Sequence, residues 1–266
     1  LSGSRGQRAP PFRASNSGRF LLTGQDLIIA LVIITAGATV MGAVGFGLGL
    51  VVTPVLMLLL EPQTVVVLVN GEIAVLTVLL LARTWRYLRL KPSLMMAAGG
   101  VAAAPVGVLI LGSAGPEYLR ITVAVVVLGL AGLIITNIQL PWARQPWSGA
   151  AAGFLASLAI TALSIGGPLA AFYTMAPGWE PRAVRASLAL YFLTFEVVAF
   201  ALYAWTGLVH QGTLLNIVTL LPGVLLGFGV GSFLAGRLDQ RAFRWVAVGV
   251  IVAGSLVLFG REFARF

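Results

Sequence analysis

Two carboxylates stand near the middle of apolar stretches of this chain: Glu72, with Asn70 two residues before it, in a run over 64–82, and Glu196 in a run over 183–206. An ionised carboxylate at the centre of a bilayer costs about 2.5–3.5 kcal/mol on insertion scales, so such a group is protonated, paired or turned toward water. Glu72 and Glu196 are therefore candidates for coupling proton movement to the movement of another species. The competing reading is a structural hydrogen bond from a protonated acid to a neighbouring helix. A second set of residues is built around glycine. Gly45-Phe46-Gly47-Leu48-Gly49 is followed by Thr53-Pro54, and Ser164-Ile165-Gly166-Gly167-Pro168 is followed by Tyr173. Glycine weakens a helix by about 1 kcal/mol and proline by about 3, so each cluster should break one. A break leaves unpaired N–H groups at the N-terminus of the helix that follows, carrying about half a positive charge, which is a ready anion site. Gly45, Gly47, Gly49, Gly166 and Gly167 let the backbone approach an anionic head group, and Thr53, Ser164 and Tyr173 offer hydroxyl donors. Arg185 can reach inward and hold an oxyanion bidentately, whereas Arg182 reads as a loop charge. Tight helix packing is the competing use of the glycines.

Other chemistry is thinly supplied. With no cysteine and a single histidine, His210, the chain cannot assemble a thiolate or His-based metal site, and no metal or cofactor is expected. Ala162-Leu163-Ser164-Ile165-Gly166 faintly resembles a nucleophile turn, but a serine nucleophile needs a base within hydrogen-bond reach, and His210 reads as a loop residue. An enzyme is not expected.

The elements that must hold these residues follow from composition. Of 266 residues, 59% are apolar and only 9% charged, against about 25% charged in a typical soluble domain. A soluble globular enzyme and a disordered chain are both excluded, and the solvent for most of the chain is lipid. The net charge of +9 reads as loop charge that orients the chain in a membrane, not as a nucleic-acid footprint. Residues 1–25 are polar and basic, lack the apolar core of a signal peptide, and read as a disordered tail. Eight apolar runs follow, over 26–60, 64–82, 93–111, 119–138, 148–177, 183–206, 213–236 and 245–260. Six suit one crossing each at about 20 residues per span. Runs one and five, which hold the glycine clusters, are too long for one crossing and short for two.

The chain also repeats itself. At an offset of 119, Glu61-Pro62 falls on Glu180-Pro181, Gly47 on Gly166 and Val65 on Val184; further on, Leu119-Arg120 matches Phe243-Arg244 at 124. Residues 26–138 and 148–260 read as duplicated units, joined by a linker over 139–147 and followed by a tail over 261–266. Loop charge decides their orientation. If every run crosses once, Lys and Arg outside the first tail divide seven against six between the two sides; if runs one and five each cross an even number of times, they divide ten against three. The positive-inside rule favours the second arrangement, which gives each repeat an odd number of crossings and opposite orientation. The expected fold is an all-α polytopic membrane protein of two inverted-topology repeats, with eight to ten helical segments.

The stretch Gly42-Ala-Val-Gly-Phe-Gly-Leu-Gly-Leu-Val-Val-Thr-Pro54, its counterpart Ser164-Ile-Gly-Gly-Pro168 with Tyr173, and Arg182-Ala-Val-Arg-Ala-Ser187 together resemble the sulfite exporter TauE/SafE family. The resemblance covers nearly all of the chain after the tail. It implies a bacterial inner-membrane secondary transporter of small sulfur-containing anions, such as sulfite, sulfoacetate and related organosulfonates, often in the export direction. Its partners would be the small anion and the lipid bilayer, with a proton as candidate coupling ion, a homo-oligomer as an open question and no nucleic acid. An anion channel, or a transporter of another small carboxylate or inorganic anion, is the alternative. Export need not be coupled, since one negative charge leaving a cell at 100 mV gains about 2.3 kcal/mol.

Overall fold

The computed structural model describes residues 21–136, 147–175 and 178–235. The described residues carry nine α-helices: α1 (Gly24–Val44), α2 (Leu48–Leu56), α3 (Pro62–Thr84), α4 (Leu90–Ser113), α5 (Pro116–Thr136), α6 (Ser148–Leu163), α7 (Gly167–Met175), α8 (Pro181–Trp205) and α9 (Gln211–Leu234), with one 3₁₀ turn at Trp85–Tyr87. The eighth apolar run, most of the first tail and of the linker, the final tail, and Arg144, Arg237, Arg241 and Arg244 lie outside the described residues.

Five of these helices, α1, α3 with its following turn, α4, α8 and α9, are long and apolar enough to cross a membrane. Their outward faces present apolar side chains, among them Val32, Leu109, Val197, Leu226 and Phe233. Asn70, Glu72, Ser157, Thr161, Ser164, Ser187 and Glu196 are buried instead. That distribution suits a lipid solvent, which takes apolar side chains and leaves polar ones to find partners inside. The chain is a membrane-embedded, multi-pass helical protein.

The starts and breaks have local causes. α3 and α8 each open on a Glu-Pro pair, with Glu61 and Glu180 at the N-cap and proline in the first turn, where its missing N–H costs no helical bond. α1 stops at Gly45, whose left-handed backbone (φ +93°) turns its N–H back to the Met41 carbonyl at 2.7 Å. Gly47 is left-handed as well, at φ +104°. α6 stops at Ser164, which at φ 60° is the non-glycine residue with positive φ among the described residues.

After each break the chain folds back on itself. Gly37 of α1 sits against Leu48 and Val52 of α2. Gly149, in the first turn of α6, sits under the hydroxyl of Tyr173 near the end of α7. Runs one and five are thus two helical hairpins, each pairing a longer helix with a nine-residue one. Nine residues reach only about 13 Å, less than half of the hydrocarbon thickness.

The hairpins are held by each other's half of the chain. α1 packs along α9, and α6 along α4, while α8 lies against both α3 and α4. Both hairpin seams use small residues: Gly227 and Gly231 of α9 abut the backbone of Thr35 and Thr39, and Gly99 of α4 and Gly153 of α6 abut the backbone of Ala150 and Met96. Tyr191 of α8 ties the second seam by donating to the Gly153 carbonyl at 2.9 Å and sharing a 2.8 Å hydrogen bond with Ser157. Contacts also sort the loops. Gln63 donates to the Ala114 carbonyl at one end of the molecule, whereas at the other Arg182 donates to the Tyr87 hydroxyl and Arg89 lies 5.7 Å from the Trp179 ring centroid. α3 and α8 consequently run antiparallel.

Candidate functional site

The two hairpin tips meet at the middle of the bundle. Gly49, in the first turn of α2, lies against the carbonyl oxygen of Ser164 so closely that no side-chain atom fits between them. Gly167, the first residue of α7, lies against Phe46 and the amide of Gly47. The cavity beside this crossing is lined by Gly47, Gly49, Ser164, Gly166 and Gly167 from the tips, with Met41, Phe46, Leu48, Leu50, Ile73, Ile160, Ile165 and Phe192 around them. Ile73 and Phe192 lie about halfway along α3 and α8, so the cavity sits at half the depth of the bundle. The free space inside it is about 20 Å³, room for about one water molecule, so the tips stand nearly closed on each other.

Chemically this is a small cleft with apolar walls and two helix N-termini. The first-turn amides of α2, at Leu48, Gly49 and Leu50, have no carbonyl upstream within their helix. In α7 the second position is Pro168, which has no N–H, and the amides of Leu169 and Ala170 both turn back to the Gly166 carbonyl, at 3.0 and 3.4 Å, which leaves Gly167 as the first-turn donor toward the cavity. Two short helices thus turn their positive ends toward one apolar space, where a charge interacts more strongly than in water.

The tips are anchored differently. At the second, the Ser164 hydroxyl donates to a shared pair of acceptors, the Val66 carbonyl at 3.1 Å and Asn70 Oδ1 at 3.0 Å. Asn70 Nδ2 donates to the Ile160 carbonyl at 3.2 Å and to the Tyr203 hydroxyl at 2.8 Å, and Tyr203 donates to the Thr161 carbonyl at 2.5 Å. The Ile160 and Thr161 carbonyls belong to the last turn of α6, and that of Ile160 also accepts from the Ser164 amide at 2.7 Å. At the first tip, Arg185 of α8 lays its stem over Gly45, and Nη2 donates to the Gly42 carbonyl at 2.9 Å. Its Nε is buried with no hydrogen-bond partner among the described residues.

The expected site residues therefore separate into groups. Gly47, Gly49, Ser164, Gly166 and Gly167 line the cavity. Gly45 and Arg185 touch each other and lie outside the lining, Gly45 next to the lining residue Phe46. Thr53 is buried further along α2, its hydroxyl without a partner among the described residues, and Tyr173 sits by Gly149; neither lines the cavity. Glu72 and Glu196 are fully buried on α3 and α8; they do not line the cavity, although Glu72 precedes the lining residue Ile73 and Glu196 lies one turn from Phe192, and their carboxylate oxygens have no hydrogen-bond partner among the described residues. Arg182 is exposed and held against Tyr87. The spacing of glycines does not reveal the roles of Asn70 and Tyr203. What could have found them is the cost of burying an amide and a phenol in apolar runs, since such groups are seldom left unpaired.

Neither curated proteins nor solved structures give a match to this chain. A family model described as "Sulfite exporter TauE/SafE" matches residues 29–258.

Proposed function

Because the chain belongs to the sulfite exporter TauE/SafE family, we propose that it is a secondary transporter of small sulfur-containing anions, sulfite or an organosulfonate such as sulfoacetate, working in the export direction across a bacterial inner membrane. The observation that carries this reading is the meeting of two helix N-termini, α2 and α7, at one small cavity at half the depth of the bundle. The anion sits between the tips, its oxygens on the amides around Gly47, Gly49, Gly166 and Gly167, with the Ser164 backbone closing one side. The inverted-repeat reading is supported by the exchange of packing partners, α1 on α9 and α6 on α4, and by the antiparallel course of α3 and α8. Alternating access then amounts to one hairpin and its supporting helices rocking against the other about the crossing of the tips.

Thermal stabilisation of the purified protein tests the substrate class. Sulfite, sulfoacetate, taurine, isethionate, sulfate and acetate are to be compared at matched ionic strength. Sulfite or a sulfonate should raise the melting temperature in a saturable way and acetate should not. Stabilisation by none of the sulfur anions would remove the proposal.

Arg185 meets the anion on its way between the arginine-rich end and the cavity. Arg185→Gln is expected to raise KM by about tenfold, the worth of one charge-assisted hydrogen bond. Arg185→Lys should recover little of it, because a lysine cannot hold the Gly42 carbonyl and an oxyanion in one plane. Transport kinetics in proteoliposomes decide this, and an unchanged KM in Arg185→Gln would confine the residue to a structural role.

A further inference from the structure

We infer that Asn70 is the positioning residue of the second tip: its amide ties Ser164, Ile160 and Tyr203 into one buried network and so fixes where the amides of Gly166 and Gly167 face the anion. The inference rests on the proposed site between the tips and adds a residue that does not line it. A side-chain amide has two N–H donors and one oxygen acceptor, and Asn70 uses all of them: Nδ2 to Ile160 and Tyr203, Oδ1 from Ser164. Asn70, Tyr203 and Ser164 are each at most 3% exposed, so water cannot replace a lost partner, and the bonds strengthen one another in the low dielectric. Ser164 needs such an anchor, since its left-handed backbone is uncommon for a residue with a side chain. The first half has no counterpart. At the 119-residue offset Asn70 corresponds to Ala189 and Ser164 to Gly45, and the first tip is tied by Arg185 instead. One tip is thus fixed by a buried amide, and the other is held by a charged side chain of α8.

Three substitutions separate positioning from general stability. Asn70→Asp keeps an acceptor for Ser164 and leaves at most one donor, the O–H of the protonated acid, where the amide has two. Tyr203→Phe removes the phenol and leaves the ring. Ser164→Gly accepts the left-handed backbone and removes the hydroxyl. Each is expected to raise the KM for sulfite about tenfold while leaving the maximal rate near that of the wild type. Asn70→Asp combined with Tyr203→Phe should be little worse than either alone, because both break one network. Hydrogen–deuterium exchange supplies a readout that needs no anion: peptides over 160–170 should exchange faster in all three variants, while those over α9 keep their protection. Unchanged exchange at the tip in Tyr203→Phe and Ser164→Gly would overturn the inference, as would an unchanged KM in variants whose tip has loosened. If wild-type protein binds no sulfur anion while the tip still loosens in the variants, the substrate assignment falls and the positioning role stands. Should Asn70→Asp fail to fold, the other two variants carry the test.

Discussion

Gly49→Val is expected to abolish transport while a methyl group at the open position Gly112 passes unnoticed. A Cβ at Gly49 would run into the carbonyl oxygen and carbon of Ser164, which are backbone and cannot swing aside. Overpacking of this kind costs about 1–3 kcal/mol and more where backbone must move. Taken from the arrangement in which the tips meet, about 3 kcal/mol lowers its population roughly a hundredfold. The loss should appear as transport by reconstituted protein falling to background and as loss of stabilisation by sulfite. The melting temperature of the anion-free protein separates this from simple unfolding, because the α1–α9 and α4–α6 seams do not include Gly49. Gly112→Ala is the matched control, since a Cβ there has no heavy atom within 4 Å. Transport by Gly49→Val at the wild-type rate would show that the tips need not touch.

Glu72→Gln is expected to leave the protein folded and to remove the response of transport to a pH gradient. Glu72 is fully buried and its carboxylate oxygens have no hydrogen-bond partner among the described residues. A carboxyl group in such surroundings can carry a proton through the cycle, whereas an amide keeps its hydrogens at every pH. Burying the amide also avoids any ionised state, so stability should hold or rise. The measurement is sulfite flux into proteoliposomes with and without an imposed pH difference. Wild type should respond to the gradient, and Glu72→Gln should run at one rate in both conditions. Glu196→Gln is the companion variant. Glu196 stands on the face of α8 that also carries buried Phe192, Ala199 and Tyr203. If both glutamine variants still respond to the gradient as wild type does, neither glutamate carries the coupling proton.

The sequence makes some of this legible and hides the rest for physical reasons. Glycine and proline act through the backbone of their own turn, so the breaks at Gly45–Gly47 and Ser164–Gly166 can be read locally. The Glu-Pro starts of α3 and α8 are equally local. The cavity lining is readable only at the tips, where Gly47, Gly49, Gly166 and Gly167 both form the break and face the space. Thr53 and Tyr173 sit close to the breaks in sequence, but at 1.5 Å per residue a helix carries them about 8 Å away. Asn70 and Tyr203 are 133 residues apart, and nothing in either neighbourhood names the other. Arg185 is recognisable as a cation near a break. Its bond to the Gly42 carbonyl depends on how α8 crosses the end of α1, which is a matter of tertiary packing.

The exchange of packing partners between the halves also governs how the chain can be made. α1 has its seam on α9, and Leu22, just before α1, donates to Asn216 across 194 residues. At about 5–20 residues per second, the first hairpin waits roughly ten seconds or longer after its own synthesis before α9 exists to receive it. Until then its glycine-facing side has only lipid or the insertion machinery for company. Neither half is therefore a folding unit of its own, and the first hairpin is locked in only by a closing step that waits for a helix of the other half.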